Sequence, residues 1–240
     1  METIKFENKG NIKMIAHRGV SGLETENTCP AFVVAGVKSY YGIETDVHLT
    51  KDGKFLVGHD ESFARVADVD VIIEETNFDE LRKIRIKDKD GSKVRADLFP
   101  PSLEEYISIC KKYEKQAILE IKGDFPKEKV WEMVEQIKTL GWYEKTTFIS
   151  FYLGNLLALR EKYPDSDVQC LFSECEDKEI QFMIDNKMDA DLCGYCLTPE
   201  KVQKLHEHGL KVNVWTLDTL EHANMAKLAG VDFITSNILE

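Results

Sequence analysis

The chain predicts a closed eight-stranded parallel α/β barrel of the (β/α)8 TIM type, and three observations lead there. Short apolar runs recur at residues 13–17, 43–49, 116–121, 146–151, 168–172, 189–193, 211–215 and 232–235, mostly with helix-like stretches between them. Charged and polar residues cluster at the C-terminal ends of several of these runs, the end at which barrels gather functional groups. At 240 residues the chain is long enough to close one such barrel around a sizeable core. The expected organisation is one domain over residues 1–240, with a small subdomain inserted at 61–100 after a hairpin on the second strand.

Residues 13–17 read as the first strand, ended by Gly19 and a loop reaching Thr28. Thr28 is placed to cap a helix over 29–38, in whose first turn Pro30 is tolerated. Along Gly42-Ile43-Glu44-Thr45-Asp46-Val47-His48-Leu49 the period of two turns Glu44, Asp46 and His48 to one face and Ile43, Val47 and Leu49 to the other. Lys51-Asp52-Gly53 then turns the chain back through 54–58 as a hairpin appendage. Residues 61–100 break the rhythm. Val71-Ile72-Ile73 is strand-like, and Asn77-Phe78-Asp79-Glu80 has capping-box spacing before a short helix. Asp88-Lys89-Asp90-Gly91 lacks the third ligand spacing and distal Glu of a calcium loop and reads as a surface turn. Ser102-Leu103-Glu104-Glu105 is a second capping box, opening a helix to about residue 112, after which strands and helices alternate to the end.

Composition narrows the partners. With 43% hydrophobic, 10% aromatic and 31% charged residues, the chain is globular in character. Its formal charge of −12, from 43 acidic and 31 basic residues, argues against nucleic acid or an anionic membrane, since both require a clustered basic surface. No apolar run approaches the ~18 residues of a membrane span. The opening ten residues are too polar for a signal-peptide core, so a cytoplasmic location without stable membrane insertion is expected. The six cysteines, at 29, 110, 170, 175, 193 and 196, are scattered and read as free thiols. Cys193 and Cys196 have half-site spacing, but two thiols do not close a four-ligand zinc site. Nothing in the pattern sets an oligomeric state.

Glu44 and Asp46 on one strand face repel each other unless a cation lies between them, and a hard ion such as Mg²⁺ or Ca²⁺ suits two carboxylates. Taken alone, the pair is also what a solvated edge strand presents. Further groups gather at the other strand ends: His17 and Arg18 after the first, His59 after the hairpin strand, Glu120 and Lys122 at the third, and Trp215 at the seventh. A turn histidine at 59 could pair with Asp60. His48 shares the acidic face but lies nearer the hairpin turn, and is expected behind the acids or facing solvent.

The ordered motifs Ala16-His17-Arg18-Gly19, Glu26-Asn27-Thr28, Glu44-Thr45-Asp46-Val47, Leu49-Thr50-Lys51-Asp52-Gly53, His59-Asp60, Leu119-Glu120-Ile121-Lys122 and Val214-Trp215-Thr216 resemble the glycerophosphodiester phosphodiesterases, from Met14 to Ser236. The resemblance implies a (β/α)8 barrel with a small insertion, a divalent metal, and hydrolysis of a small-molecule glycerophosphodiester to glycerol 3-phosphate and an alcohol, with a place in lipid and glycerol metabolism. It maps metal ligands onto Glu44, Asp46 and Glu120, and the acid/base pair onto His17 and His59. It implies that Arg18 and Lys122 grip the phosphodiester and that Trp215 walls the glycerol pocket. Which histidine is the acid, and whether water or the glycerol hydroxyl attacks, both stay open.

Three departures stand out: Thr25 replaces the usual proline before Glu26-Asn27-Thr28, Ser236-Asn237-Ile238 lacks one, and Ser62-Phe63-Ala64-Arg65-Val66-Ala67 differs from the common stretch in a way that bears on the alcohol. Two alternatives remain. A lysophospholipase D-like phosphodiesterase needs a long apolar groove, and the sequence shows no aromatic docking cluster. A non-catalytic phosphate-ligand module would be expected to have replaced one of the two histidines or three acids.

Overall fold

Period-two alternation builds the barrel wall, and a helix returns the chain after most of its strands. The computed structural model describes residues 2–240. In chain order the elements are β1 (Lys13–Ala16), α1 (Cys29–Val37), β2 (Gly42–Leu49), β3 (Phe55–Val57), α2 (Ala64–Ala67), α3 (Phe78–Leu81), α4 (Leu103–Lys112), β4 (Gln116–Ile121), α5 (Lys127–Thr139), β5 (Thr146–Ser150), α6 (Leu153–Lys162), β6 (Asp167–Phe172), α7 (Asp177–Asn186), β7 (Asp189–Cys193), α8 (Pro199–His206), β8 (Val212–Trp215), α9 (Leu220–Ala229) and β9 (Phe233–Ser236). The parallel wall runs β1-β2-β4-β5-β6-β7-β8-β9 and closes where β9 pairs with β1. Strand β3 lies antiparallel on β2 as the expected hairpin appendage.

Outward-facing residues such as Ile43, Val47, Leu119 and Phe148 join Phe32, Tyr106 and Met133 in the main core between wall and helices. Fully burying each of these large side chains contributes about 1.5–3 kcal/mol. Inside the barrel, Ile15, Ile118, Ile149, Leu171 and Phe233 form a separate apolar plug. That plug closes the floor beneath the acids of β2 and β4.

The caps explain why the helices begin where the sequence says. Thr28 accepts from the Ala31 amide, and Ser102 and Glu105 form a reciprocal capping box. The insertion differs from expectation in two places. Val71-Ile72-Ile73 makes no strand: Ile73 is buried in a small core with Leu56, Phe63, Ala67 and Leu81, and Ile72 forms only a bridge to Ser62. Asn77 does not cap α3 with its side chain; Asp52 Oδ1, from the hairpin turn, accepts from the Phe78 amide at 2.8 Å instead. Asp88 to Gly91 is the expected turn, with the Gly91 amide donating to the Asp88 carbonyl at 2.8 Å. All six cysteines are free. Among the described residues no helix is long and apolar enough to cross a membrane.

Candidate active site

Because Asp46 and Glu120 are register partners on adjacent parallel strands and Glu44 lies two residues earlier on β2, three carboxylates meet in one mouth. One oxygen from each lies within 4.8 Å of the others, and their residues are only 3%, 1% and 7% exposed for Glu44, Asp46 and Glu120. Such a concentration of buried negative charge is costly unless it is neutralised. Burial, and then the Asp46 charge, raise Glu44 well above the usual carboxylate range and push Glu120 up to about 8. Burial works the same way on Asp46, but Lys122, Arg18 and His59 outweigh it and hold that carboxyl well below its ordinary value. Asp46 Oδ1 has no hydrogen bond; Lys122 Nζ approaches it at 3.1 Å without hydrogen-bond geometry. Three converging oxygens, one with an unused buried lone pair, fit a hard divalent cation.

The loop after β1 is folded around these acids. Gly19, at φ +75°, passes so close to α1 that a Cβ there would meet Ala31 at 2.7 Å. Arg18 and Asn27 adopt left-handed backbone, both at φ 53°, a strain of order 1–3 kcal/mol apiece that the acids help to hold. The Arg18 amide donates to Glu44 Oε2 at 2.7 Å, and Asn27 Nδ2 donates to Asp46 Oδ2 at 2.7 Å. Thr45 Oγ1 fixes the other end of the Asn27 amide at 2.8 Å. The Arg18 guanidinium pairs with Glu26 at 2.9 Å, with its Nε 3.5 Å from Asp46 Oδ2. Lys122 Nζ lies 2.9 Å from Glu120 Oε1, and Asp46 and Glu120 outweigh its burial to raise the ammonium.

The two histidines are pinned by different partners. His17 Nδ1 lies 2.8 Å from Asn237 Oδ1, and Asn237 is itself oriented by Asp218, to which its amide groups donate at 2.8 and 2.6 Å. An amide oxygen can only accept, so Nδ1 carries the proton and Nε2, 4.0 Å from Glu44 Oε2, keeps its lone pair. Burial, followed by Arg18, lowers His17 to about 4. His59 Nδ1 pairs with Asp60 Oδ1 at 2.7 Å, and burial again leads in lowering its imidazole. The other Asp60 oxygen takes Arg65 Nε at 2.7 Å, while the two Arg65 Nη atoms reach both Glu26 oxygens at 2.9 and 2.7 Å. One guanidinium from the insertion thus ties the carboxylate behind His59 to the carboxylate behind Arg18.

Of the eight residues expected at the site, His17, Arg18, His59 and Lys122 gather around Glu44, Asp46 and Glu120, whereas Trp215 makes its contacts elsewhere on the rim. Trp215 ends β8, donates from Nε1 to the Asp191 carbonyl at 3.2 Å and meets Phe151 edge-on at 5.7 Å between ring centroids. His48 is buried rather than solvent-facing, its Nε2 3.2 Å from the His59 carbonyl. Sequence reasoning gave no role to Asn27, Glu26, Arg65, Asn237 or Asp218. Asn27 and Glu26 lay within a quoted motif, and Asn237 and Arg65 lay within the departures, but no periodicity marks such long-range partners.

The sequence pattern of the Glycerophosphoryl diester phosphodiesterase family matches residues 17–239. A glycerophosphodiester phosphodiesterase of Caldanaerobacter subterraneus is 29% identical over 93% of this chain and 93% of its own length. One from Bacillus altitudinis is 26% identical over 92% and 93%. In three dimensions the chain resembles a phosphodiesterase of Oleispira antarctica, solved in complex with the product sn-glycerol-3-phosphate, at a TM-score of 0.87 and 23% identity over 94% and 93% of the two chains. A glycerophosphodiester phosphodiesterase of Parabacteroides distasonis gives 0.77 and 26% over 99% and 94%. With a family pattern running nearly the whole length of a closed parallel barrel, and three buried acids gathered at its mouth, this chain belongs to the glycerophosphoryl diester phosphodiesterase family and is a phosphoric diester hydrolase.

Proposed function

We propose that the barrel mouth hydrolyses glycerophosphodiesters to glycerol 3-phosphate and an alcohol, with Mg²⁺ or Ca²⁺ held by Glu44, Asp46 and Glu120. The carrying observation is the buried convergence of those acids, with His17 Nε2 4.0 Å from Glu44 and both imidazoles pinned through Nδ1. Bound there, the cation would supply Lewis-acid neutralisation of charge on the phosphoryl oxygens. Arg18 and Lys122 add fixed positive charge to the same oxygens. His17, whose partner is a neutral amide, offers a free Nε2 lone pair and acts as the base on water or on the neighbouring glycerol hydroxyl. His59, backed by the Asp60 carboxylate, is the better proton holder and protonates the departing alkoxide. Trp215 packs against the glycerol.

The test is hydrolysis of glycerophosphocholine and a small head-group panel with Mg²⁺, Ca²⁺ or a chelator. Glycerol 3-phosphate should appear, vanish on chelation and return with at least one of the two ions. Full turnover by metal-stripped protein would remove the cation from the proposal.

Lys122 has a structural role to be separated from its chemical one, because its ammonium already touches two of the acids. In cation-saturated protein, Lys122→Met should lower kcat/KM by up to about 10²-fold while leaving Tm nearly unchanged. Cation affinity should rise, since a competing positive charge has gone. Normal kcat/KM with a lowered Tm or weakened cation binding would make Lys122 a structural ion-pair residue only.

A further inference from the structure

His17 follows β1, and its backbone amide donates to the Ser236 carbonyl at 2.9 Å, so the ends of β1 and β9 lie together. Asn237, the next residue, turns its side-chain oxygen to His17 Nδ1 at 2.8 Å and accepts from Ser21 Oγ at 2.5 Å. Its Nδ2 donates to Asp218 Oδ2 at 2.6 Å and its backbone amide to Asp218 Oδ1 at 2.8 Å. Asp218 lies in the loop between β8 and α9. A neutral imidazole can carry its proton on either ring nitrogen, and only the tautomer with Nε2 bare can accept a proton there. Glu44 Oε2, 4.0 Å from Nε2, offers an acceptor that favours the other tautomer. An asparagine by its type opposes neither, because its amide presents an acceptor or a donor according to which way it is turned. A carboxylate only accepts, so Asp218 requires the NH2 of Asn237 to face it and leaves the oxygen for His17.

We propose that Asp218 is a positioning residue for phosphodiester hydrolysis: through the Asn237 amide it holds the His17 proton on Nδ1 and keeps Nε2 bare for the attacking hydroxyl. This rests on the reading of His17 as the base. In the step it serves, Nε2 takes the proton of water or of the glycerol hydroxyl as that oxygen bonds to phosphorus. The bond from phosphorus to the leaving oxygen breaks, and the proton His59 gives that oxygen balances the one His17 receives. Asn237 accepts from Nδ1 throughout. One isosteric substitution should reverse the relay. Ser236 Oγ accepts from the Ile238 and Leu239 amides at 3.2 and 2.9 Å, so its own hydrogen goes to Asp218 Oδ1, where the Asn237 backbone amide also donates. In Asp218→Asn the introduced side chain has to keep its oxygen at that doubly donated position and turn its NH2 towards Asn237. The Asn237 amide then turns over, presents its NH2 to His17 and moves the imidazole proton to Nε2. Ser21, being a hydroxyl, follows by accepting. Adding Asn237→Asp supplies an acceptor to both neighbours and should return the proton to Nδ1.

The experiment is histidine-selective ¹⁵N NMR of cation-saturated wild type, Asp218→Asn, and Asp218→Asn combined with Asn237→Asp. The His17 signals are identified by their loss in His17→Gln, and kcat and KM for glycerophosphocholine are measured with Tm on the same proteins. Wild type should carry the His17 proton on Nδ1. Asp218→Asn should carry it on Nε2 and lose about 10²-fold or more in kcat, the scale of a misplaced proton-transfer group, with KM and Tm near wild type. The double variant should recover the Nδ1–H signature and part of the lost rate. A proton on Nε2 in wild type, or on Nδ1 in Asp218→Asn, overturns the proposal. So does a kcat loss that comes with a raised KM and a lowered Tm and is not relieved in the double variant, since that is the behaviour of a residue that only holds its loop. An inverted tautomer with normal kcat overturns the part of Asp218 in turnover together with the reading of His17 as the base. If wild type cleaves no diester, the phosphodiesterase reading fails separately, and the tautomers alone then support or overturn the hold of Asp218 on His17.

Discussion

Asp46→Asn should abolish measurable turnover and weaken cation affinity by at least about 10²-fold, while the protein remains folded. Asp46 is the most buried of the three acids, the one whose carboxyl is held below its ordinary range, and the one with an unused buried oxygen. Asparagine keeps the shape and an acceptor for Asn27 but removes the charge. Calorimetric titration with Mg²⁺ and Ca²⁺, alongside turnover, decides the matter. Wild-type affinity in a folded Asp46→Asn protein would exclude this carboxylate as a ligand.

The same cluster carries a pH signature of definite sign. Glu120 moves up to about 8 and Glu44 is raised as well, so above the ordinary value of 4.5 the folded protein keeps protons that the unfolded chain has released. Stability of chelator-treated protein therefore falls as pH rises through that window and on to about 8. His17, His48 and His59 are all lowered, so their stability is lost on the acid side, as pH falls below the ordinary 6.5. Above about pH 7.5 they are neutral in both states and contribute no slope. Thermal melts from pH 6.5 to 8.5 should decline, added cation should restore most at the alkaline end, and cation binding should release protons at the lower end, where Glu120 still holds its own. A flat profile with an equal cation effect throughout would contradict these shifts.

Replacing either histidine should cost about 10²-fold or more in turnover, the usual scale for a lost proton-transfer group, with cation affinity retained. The two losses should differ in kind. His59→Ala removes the proposed acid, so a substrate whose leaving group is already stable as an anion, such as a p-nitrophenyl phosphodiester of glycerol, should recover most of the lost rate. His17→Ala removes the proposed base and should stay slow on both substrates. Recovery by the His17 variant and not the His59 variant would exchange the roles. Near-normal turnover in either variant would return that histidine to packing.

What the sequence revealed and what it concealed divide along physical lines. Strand alternation made Ile43 and Val47 core and Glu44 and Asp46 interior, and the capping hydroxyls of Thr28 and Ser102 placed two helix starts. Glu120 and Lys122 became legible once the barrel brought strand ends together. The insertion did not, because its order comes from contacts at a distance: Asp52 caps α3 where Asn77 was expected, and Arg65 bridges carboxylates 5 and 39 residues away.

The bond between His17 and Asn237 joins residues 220 positions apart, and β9 seals the barrel against β1 over four residue pairs. During synthesis, β1, β2 and all three acids leave the ribosome long before the group that orients His17 exists. The orientation of His17 therefore waits on β9, the strand that closes the barrel against β1. A barrel without β9 would still hold Glu44, Asp46 and Glu120 on β2 and β4, but would leave His17 Nδ1 without its Asn237 partner.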